Sequence, residues 1–169
     1  MHQESLDIMQ HFLERIEKLL PAPIRVLDVG SKRIGDNPTY RDLISDKYSY
    51  VGLDIEAGNN VDIVVPPYSW KISDQYDQYD LVISGQAFEH IEFPWLTILE
   101  IAKALKPGGY AVIIVPTVPI IHRFPVDCWR ILPDGLTALA KWANLDVIEV
   151  SINQYGAWGD AWGFFQKPK

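Results

Sequence analysis

The chain has 169 residues, 48% of them hydrophobic and 22% charged, with a formal net charge of −7. One domain of that size buries roughly 70% of the surface its unfolded chain exposes. The acidic balance argues against nucleic acid or an anionic membrane as a partner, because both select a basic footprint.

The single cysteine, Cys128, excludes an internal disulfide and fits a reducing compartment. A polar N-terminus, and no apolar run near the ~18 residues of a membrane span, predict a cytoplasmic protein without a signal peptide.

Leu6, Met9, Phe12, Leu13, Ile16 and Leu20 recur at helical spacing, which predicts an amphipathic helix over 4–20 stopped by Pro21 and Pro23. This helix (1–22 with its flanks) is expected to cover one face of a sheet. Ile24–Val29 reads as the first strand and Gly30–Tyr40 as an irregular loop. Thr39–Ile44 reads as a short helix and 49–54 as the second strand. A strand tipped by Asp28 and Gly30, a crossover, and a strand tipped by Asp54 form a nucleoside-binding half of an open parallel sheet. In that reading the glycine admits close backbone approach, and Asp54 accepts hydrogen bonds from a ribose diol.

Val61–Val65 reads as a short third strand, followed by a stiff Pro66–Trp70 loop carrying Tyr68 and Trp70. Tyr79–Ser84 is the fourth strand, leading into Gly85 and Gln86. A helix follows over Phe93–Leu105, ended by a tight turn at Lys106-Pro-Gly-Gly109. Tyr110–Val115 is apolar throughout, as a strand buried on both faces should be. A loop rich in proline and aromatic residues spans 116–133. Asp134 then caps a helix running to Trp142, with Asn144 as its stop. Asp146–Ile152 and Gly163–Gln166 are the last two strands. Strands alternating with helices predict an α/β domain over 1–169 with a mainly parallel sheet.

With Asp28-Val-Gly30, Asp54, Asp80-Leu-Val-Ile-Ser84, Glu89-His90 and Lys106-Pro-Gly-Gly109 in order, the chain resembles the class I S-adenosylmethionine-dependent methyltransferases, and among them the small type 11 group. The likeness runs from Val26 to about Val150. His122-Arg-Phe-Pro-Val-Asp-Cys-Trp-Arg130 and the ending from Trp158 to Pro168 are similar to a subset of that group. The resemblance implies a Rossmann-like fold: a mainly parallel seven-stranded sheet with an antiparallel edge strand and helices on both faces. It also implies S-adenosyl-L-methionine as cofactor. Such families often serve carbohydrate or surface-polymer pathways, so a saccharide oxygen is the expected acceptor. The first loop departs from the family pattern. Gly30 is followed by Ser31-Lys32-Arg33, and the next glycine is Gly35.

On that resemblance the expected cofactor residues are Asp28 near the amino group, Gly30 and Ser31 along the methionine, Asp54 on the ribose, and Ile55 at the adenine. The Ser84 backbone and Gln86 are expected beside them. Asn37 is a further candidate in the loop. Val64, Val65, Pro66, Tyr68 and Trp70 are candidates to enclose the base, whereas Asp62 reads as a turn cap. Methyl transfer to oxygen calls for a proton acceptor, and His122 is the candidate base, with Asp127 orienting it or holding a sugar hydroxyl. Arg123 or Arg130 would bind a substrate anion, unless Arg130 pairs with Asp127. His90 is either near the reacting centre or a packing residue. Cys128 is expected to be packed, and no metal is expected, since no Cys/His cluster has ligand spacing along the chain. Two alternatives remain open: a binding module that has lost turnover, suggested by the altered loop, and a nicotinamide-dependent oxidoreductase, against which the missing Gly-x-Gly-x-x-Gly speaks.

Overall fold

A computed structural model describes residues 1–66 and 76–169. Tyr68 and Trp70 fall outside the described residues. The elements are α1 (Gln3–Leu19), β1 (Ile24–Val29), β2 (Tyr48–Asp54), β3 (Ile63–Val64), β4 (Tyr79–Gly85), α2 (Pro94–Ala104), β5 (Leu105–Val115), α3 (Pro133–Trp142), β6 (Asp146–Ile152) and β7 (Ala161–Gln166). The sheet order is β3-β2-β1-β4-β5-β7-β6. Every pairing is parallel except those of β7, which lies between β5 and β6 and runs against both. The reversed strand therefore sits one place in from the edge.

Period-2 alternation places two apolar sets on opposite sheet faces. Val26, Leu81, Ile83, Val112 and Ile114 meet Leu6, Met9, Phe12, Leu13 and Ile16 of α1. Leu27, Val29, Val82, Ile113 and Val115 meet α2 and α3 through Ile98, Ile101, Leu136 and Ala140. Each fully buried large side chain contributes about 1.5–3 kcal/mol. The sheet is therefore covered on both sides, the reason its central strands carry no polar alternation.

Several local expectations are corrected. The short helix at Thr39–Ile44 is a 3₁₀ turn over Tyr40–Leu43, closed by Thr39 and Asp42. The third strand shrinks to Ile63–Val64 because only Leu53 and Asp54 are there to pair with it. Lys106-Pro-Gly-Gly109 does not end α2. The helix stops at Ala104, buried Leu105 already pairs with Tyr79, and Tyr110 pairs with Leu81. The turn is thus a bulge inside β5, four residues opposite Asp80 alone. Asp134 is not the cap of α3: Leu132 holds that place and Pro133 opens the helix, leaving Asp134 in its first turn. Asn144 stops α3 as expected, at φ 55°. Glu89 and His90 belong to a separate 3₁₀ turn, Phe88–His90, ahead of α2.

Candidate active site

In a sheet ordered 3-2-1-4-5, the connections leave β1 and β4 toward opposite sides, which opens a crevice at their carboxyl ends. A cavity of about 790 Å³ occupies it. Its floor comes from the ends of β1 (Asp28 to Lys32), β2 (Leu53 to Glu56) and β4 (Gly85 to Ala87). Its far wall comes from His90 to Phe93, His122 to Val126 and Trp158, with Met1 and His2 over the mouth.

Two glycines shape the floor. Gly30 has φ +81°, and a Cβ there would meet the Ala87 Cβ at 2.4 Å. At Gly85 a Cβ would lie 1.7 Å from the Tyr40 hydroxyl, so the Tyr40 ring packs directly on the β4 backbone. The first loop folds back onto β2 through backbone groups: Gly30 and Ser31 N–H donate to the Leu53 carbonyl at 2.9 and 3.1 Å. Lys32 N–H donates to Asp54 Oδ2 at 2.9 Å, and Glu56 N–H to Asp54 Oδ1 at 3.2 Å. Asp54 is thereby held in place at the cavity lining, with further acceptor capacity on each oxygen. Ile55, beside it, is partly exposed into the same space.

Asp28 is only 2% exposed. Tyr50 donates its hydroxyl to Asp28 Oδ2 at 2.5 Å, and Asn60 Nδ2 approaches that hydroxyl at 3.3 Å. Burial pushes the Asp28 carboxyl up to about 7, against the opposing pull of the Tyr50 hydrogen bond. That displacement makes ionisation roughly 4 kcal/mol harder than in water. An incoming cation is the natural way to restore it.

Of the expected cofactor residues, Asp28, Gly30, Ser31, Asp54, Ile55 and Gln86 all line the cavity, as does Asn37. Ser31 is buried and its hydroxyl is committed to the Asn60 carbonyl at 3.0 Å, so its backbone is what it presents. Gln86 donates to Asp160 Oδ1 at 3.0 Å. Ser84, expected to offer its backbone, is not among the residues lining the cavity, and its hydroxyl donates to the Val29 carbonyl at 2.8 Å, tying β4 to β1. Val64, Val65 and Pro66 also stay out of the lining. Asp62 accepts the Gly52 N–H at 2.8 Å and pairs with Arg41, a structural role.

The far wall departs more. His122 lines the cavity, but Asp127 does not. Arg130 grips Asp127 with both terminal nitrogens, at 2.6 and 2.9 Å, holding its carboxyl well below the usual carboxylate range. Asp127 Oδ2 then accepts the His122 backbone N–H at 2.7 Å and stands 3.7 Å from the His122 ring, beyond hydrogen-bond reach. Asp127 thus orients the segment and not the imidazole. Arg130 is fully engaged by Asp127 and by the Val118, Ile120 and Trp129 carbonyls. Arg123 faces the cavity. Cys128 is exposed, not packed, and its thiol is pushed up by desolvation and neighbouring acids, which leaves it unactivated.

The residue that sequence reasoning missed is Glu89. It is fully buried, and neither carboxylate oxygen has a hydrogen-bond partner. Burial pushes it up to about 8. His90 and His122 close over it, with their rings edge to face at 4.9 Å, and Trp158 lies edge-on to His122 at 5.4 Å. Nothing in the Phe88-Glu89-His90 string distinguishes a buried carboxylate from a turn residue. The signal exists only once residues 120–126 fold back over that turn.

No curated protein matches the chain by sequence. Solved structures match it in fold. A SAM dependent methyltransferase from Aquifex aeolicus superposes with TM-score 0.66 at 16% identity, covering 93% of this chain and 88% of that one. The Burkholderia thailandensis 1,6-didemethyltoxoflavin-N1-methyltransferase, solved with 1,6-didemethyltoxoflavin and S-adenosylhomocysteine bound, gives 0.67 at 14% identity, over 99% of this chain and 78% of that one. A protein described as a sarcosine dimethylglycine methyltransferase from Galdieria sulphuraria gives 0.70 at 17% identity, over 98% and 86%. At such identities the likeness is one of fold. The sequence profile described as a methyltransferase domain matches residues 2–163. Nearly the whole chain fits that profile, and the cavity lies where the fold places its ligand: the chain belongs to the methyltransferase-domain family, as a class I S-adenosylmethionine-dependent methyltransferase.

Proposed function

We propose that S-adenosylmethionine lies across the β1 and β2 ends of the cavity and gives its methyl group to a hydroxyl, of a saccharide or similar polyol, held at the far wall. The observation that carries this reading is the convergence of Asp28, Gly30, Asp54 and His122 on one cavity of about 790 Å³. Asp54 accepts from the ribose hydroxyls and Ile55 flanks the adenine. Gly30 and Ser31 present backbone along the methionine part, with Gln86 beside them, and Asp28 meets the cofactor's ammonium group. That ammonium supplies the charge that draws Asp28 into its ionised form.

His122 serves as proton acceptor. Its Nδ1 lies 3.0 Å from the Ile120 carbonyl, so in the neutral ring Nδ1 carries the hydrogen and Nε2 keeps its lone pair. The acceptor oxygen attacks the methyl carbon as the carbon–sulfur bond breaks, its electron pair passes to sulfur, and the hydroxyl proton goes to Nε2. Alignment of the three reacting atoms supplies much of the acceleration. Phe124 and Trp158 give the acceptor end apolar walls suited to a sugar face.

Calorimetric titration with S-adenosylhomocysteine tests the reading on wild type and Asp54→Ala. Binding by the wild type, weakened roughly tenfold or more in the variant, supports it, and a folded wild type that does not bind overturns it. A screen of free sugars and polyols with labelled cofactor then identifies the acceptor.

A further inference from the structure

Buried Glu89, with both carboxylate oxygens unpartnered, faces two imidazoles of different chain segments. His90 Nε2 lies 3.5 Å from Glu89 Oε1, and His122 Nε2 lies 3.6 Å from the same oxygen. Both separations are too long for hydrogen bonds of good geometry. They suit two donors that share a third body. An ion with bonds of ~2.0–2.1 Å in tetrahedral geometry sets its ligand atoms roughly 3.4 Å apart. One ligand atom from each of the three residues falls within 4.8 Å of the others.

The outer contacts agree. His90 Nδ1 is 2.6 Å from the Val126 carbonyl and His122 Nδ1 is 3.0 Å from the Ile120 carbonyl. Each ring therefore donates its Nδ1 hydrogen to the backbone and turns an unprotonated Nε2 toward Glu89. Metal-bound histidines are fixed in this way. The other three-residue cluster among the described residues, His2, Glu4 and Asp160, lacks that character. Its groups are already satisfied: His2 Nε2 contacts Asp160 Oδ2 at 2.6 Å, Gln86 donates to Asp160, and Asn153 donates to Glu4.

We infer that Glu89, His90 and His122 bind a divalent transition-metal ion of the zinc type. Two imidazoles and one carboxylate are the donor set that leaves such an ion a position open to substrate. His90 and His122 line the cavity and Glu89 lies behind them, so the open position faces the acceptor.

The ion's role rests on the methyl-transfer reading above, in which it takes over the part given to His122; its binding does not. With the ion bound, the His122 Nε2 lone pair is committed to it, and activation of the acceptor passes to the metal. The acceptor hydroxyl binds at the open position and releases its proton to water at the cavity mouth. Its oxygen then forms the bond to the methyl carbon as the carbon–sulfur bond breaks, with the electron pair left on sulfur. The acceptor class narrows accordingly to molecules whose hydroxyl can reach a metal ion.

The test is metal content and Co²⁺ titration of the full chain after chelation, on wild type, Glu89→Gln, His122→Ala and His2→Ala, with thermal melts to establish folding. The expected result is about one equivalent of Zn²⁺ in the wild type and tetrahedral visible bands with Co²⁺. Affinity should fall at least tenfold to a hundredfold in folded Glu89→Gln and His122→Ala and be retained in His2→Ala. Folded wild type without stoichiometric uptake overturns the inference, as does uptake lost in His2→Ala but kept in Glu89→Gln. S-adenosylhomocysteine binding, measured alongside by calorimetry, separates the two ideas. Cofactor binding without metal uptake overturns the metal site alone, and metal uptake without cofactor binding overturns the methyl-transfer reading alone.

Discussion

Tyr50 of β2 gives its hydroxyl hydrogen to Asp28 of β1 at 2.5 Å, where Asp28 lines the cavity. Asp28 is pushed up to about 7, so it is largely protonated below that pH. A ligand ammonium selects the carboxylate, and binding below pH 7 must therefore release a proton. The affinity for S-adenosylhomocysteine should fall about tenfold for each pH unit below 7 and level off above it. Calorimetry in buffers of different ionisation enthalpy reads the proton directly, and Asp28→Asn should abolish the slope. Stability has the opposite sign. The folded chain keeps a proton that the unfolded chain loses near pH 4, so Asp28's contribution to stability declines from about pH 4 to about pH 7 and then stays flat. Thermal melts of wild type against Asp28→Asn isolate that decline.

Gly30→Ala combines a strained φ of +81° with a contact of 2.4 Å to the Ala87 Cβ. The loop must move, at a cost of about 1–3 kcal/mol. Urea unfolding should show that loss, and calorimetry should show weaker S-adenosylhomocysteine binding even where the variant is fully folded.

Arg130→Ala strips the side-chain partner from Asp127, whose side chain is 2% exposed. The carboxyl rises toward its ordinary range, and the grip on the His122 backbone loosens. Neither residue lines the cavity. The expected split is unchanged affinity for S-adenosylhomocysteine with a drop of roughly a hundredfold in acceptor turnover, since small displacements of reacting groups cost that much. Equal losses in both would show that the segment also supports the cofactor.

Phe12 of α1 packs on Phe164 of β7 with ring centroids 5.3 Å apart, under the guanidinium of Arg15. Phe12→Ala should destabilise the fold by about 3–5 kcal/mol. Chemical denaturation gives the value. Loss below 1 kcal/mol would mean that α1 is only a loose cover.

What the sequence carried was set by burial. The buried strand Ile24–Val29 was legible to the residue, because a mainly apolar run bounded by Pro23 and Gly30 has few other readings. Position at the sheet edge was not legible: residues around Val61–Val65 look like a strand, yet only Ile63 and Val64 find partners. Lys106-Pro-Gly-Gly109 reads as a terminator, and nothing local reveals that Leu105 has already entered β5. At the site, acids tipping β1 and β2 were legible because their place follows from topology. Ser84, expected to offer its backbone, spends its hydroxyl on the Val29 carbonyl, a partner set by strand pairing and not by the local string. Glu89 was invisible, since its character depends on a segment more than 30 residues later closing over it.

The seating of Met1 and His2 has a practical side. His2 stacks on Trp158 with centroids 5.4 Å apart, contacts buried Asp160, and lines the cavity with Met1. Residues fused ahead of Met1 would start at the rim of the cavity. Lys169 instead packs beside Gly108, at the end of β5 where the sheet's parallel strands begin, the side away from the cavity. An affinity handle placed after Lys169 keeps clear of the cavity, whereas one before Met1 would crowd it.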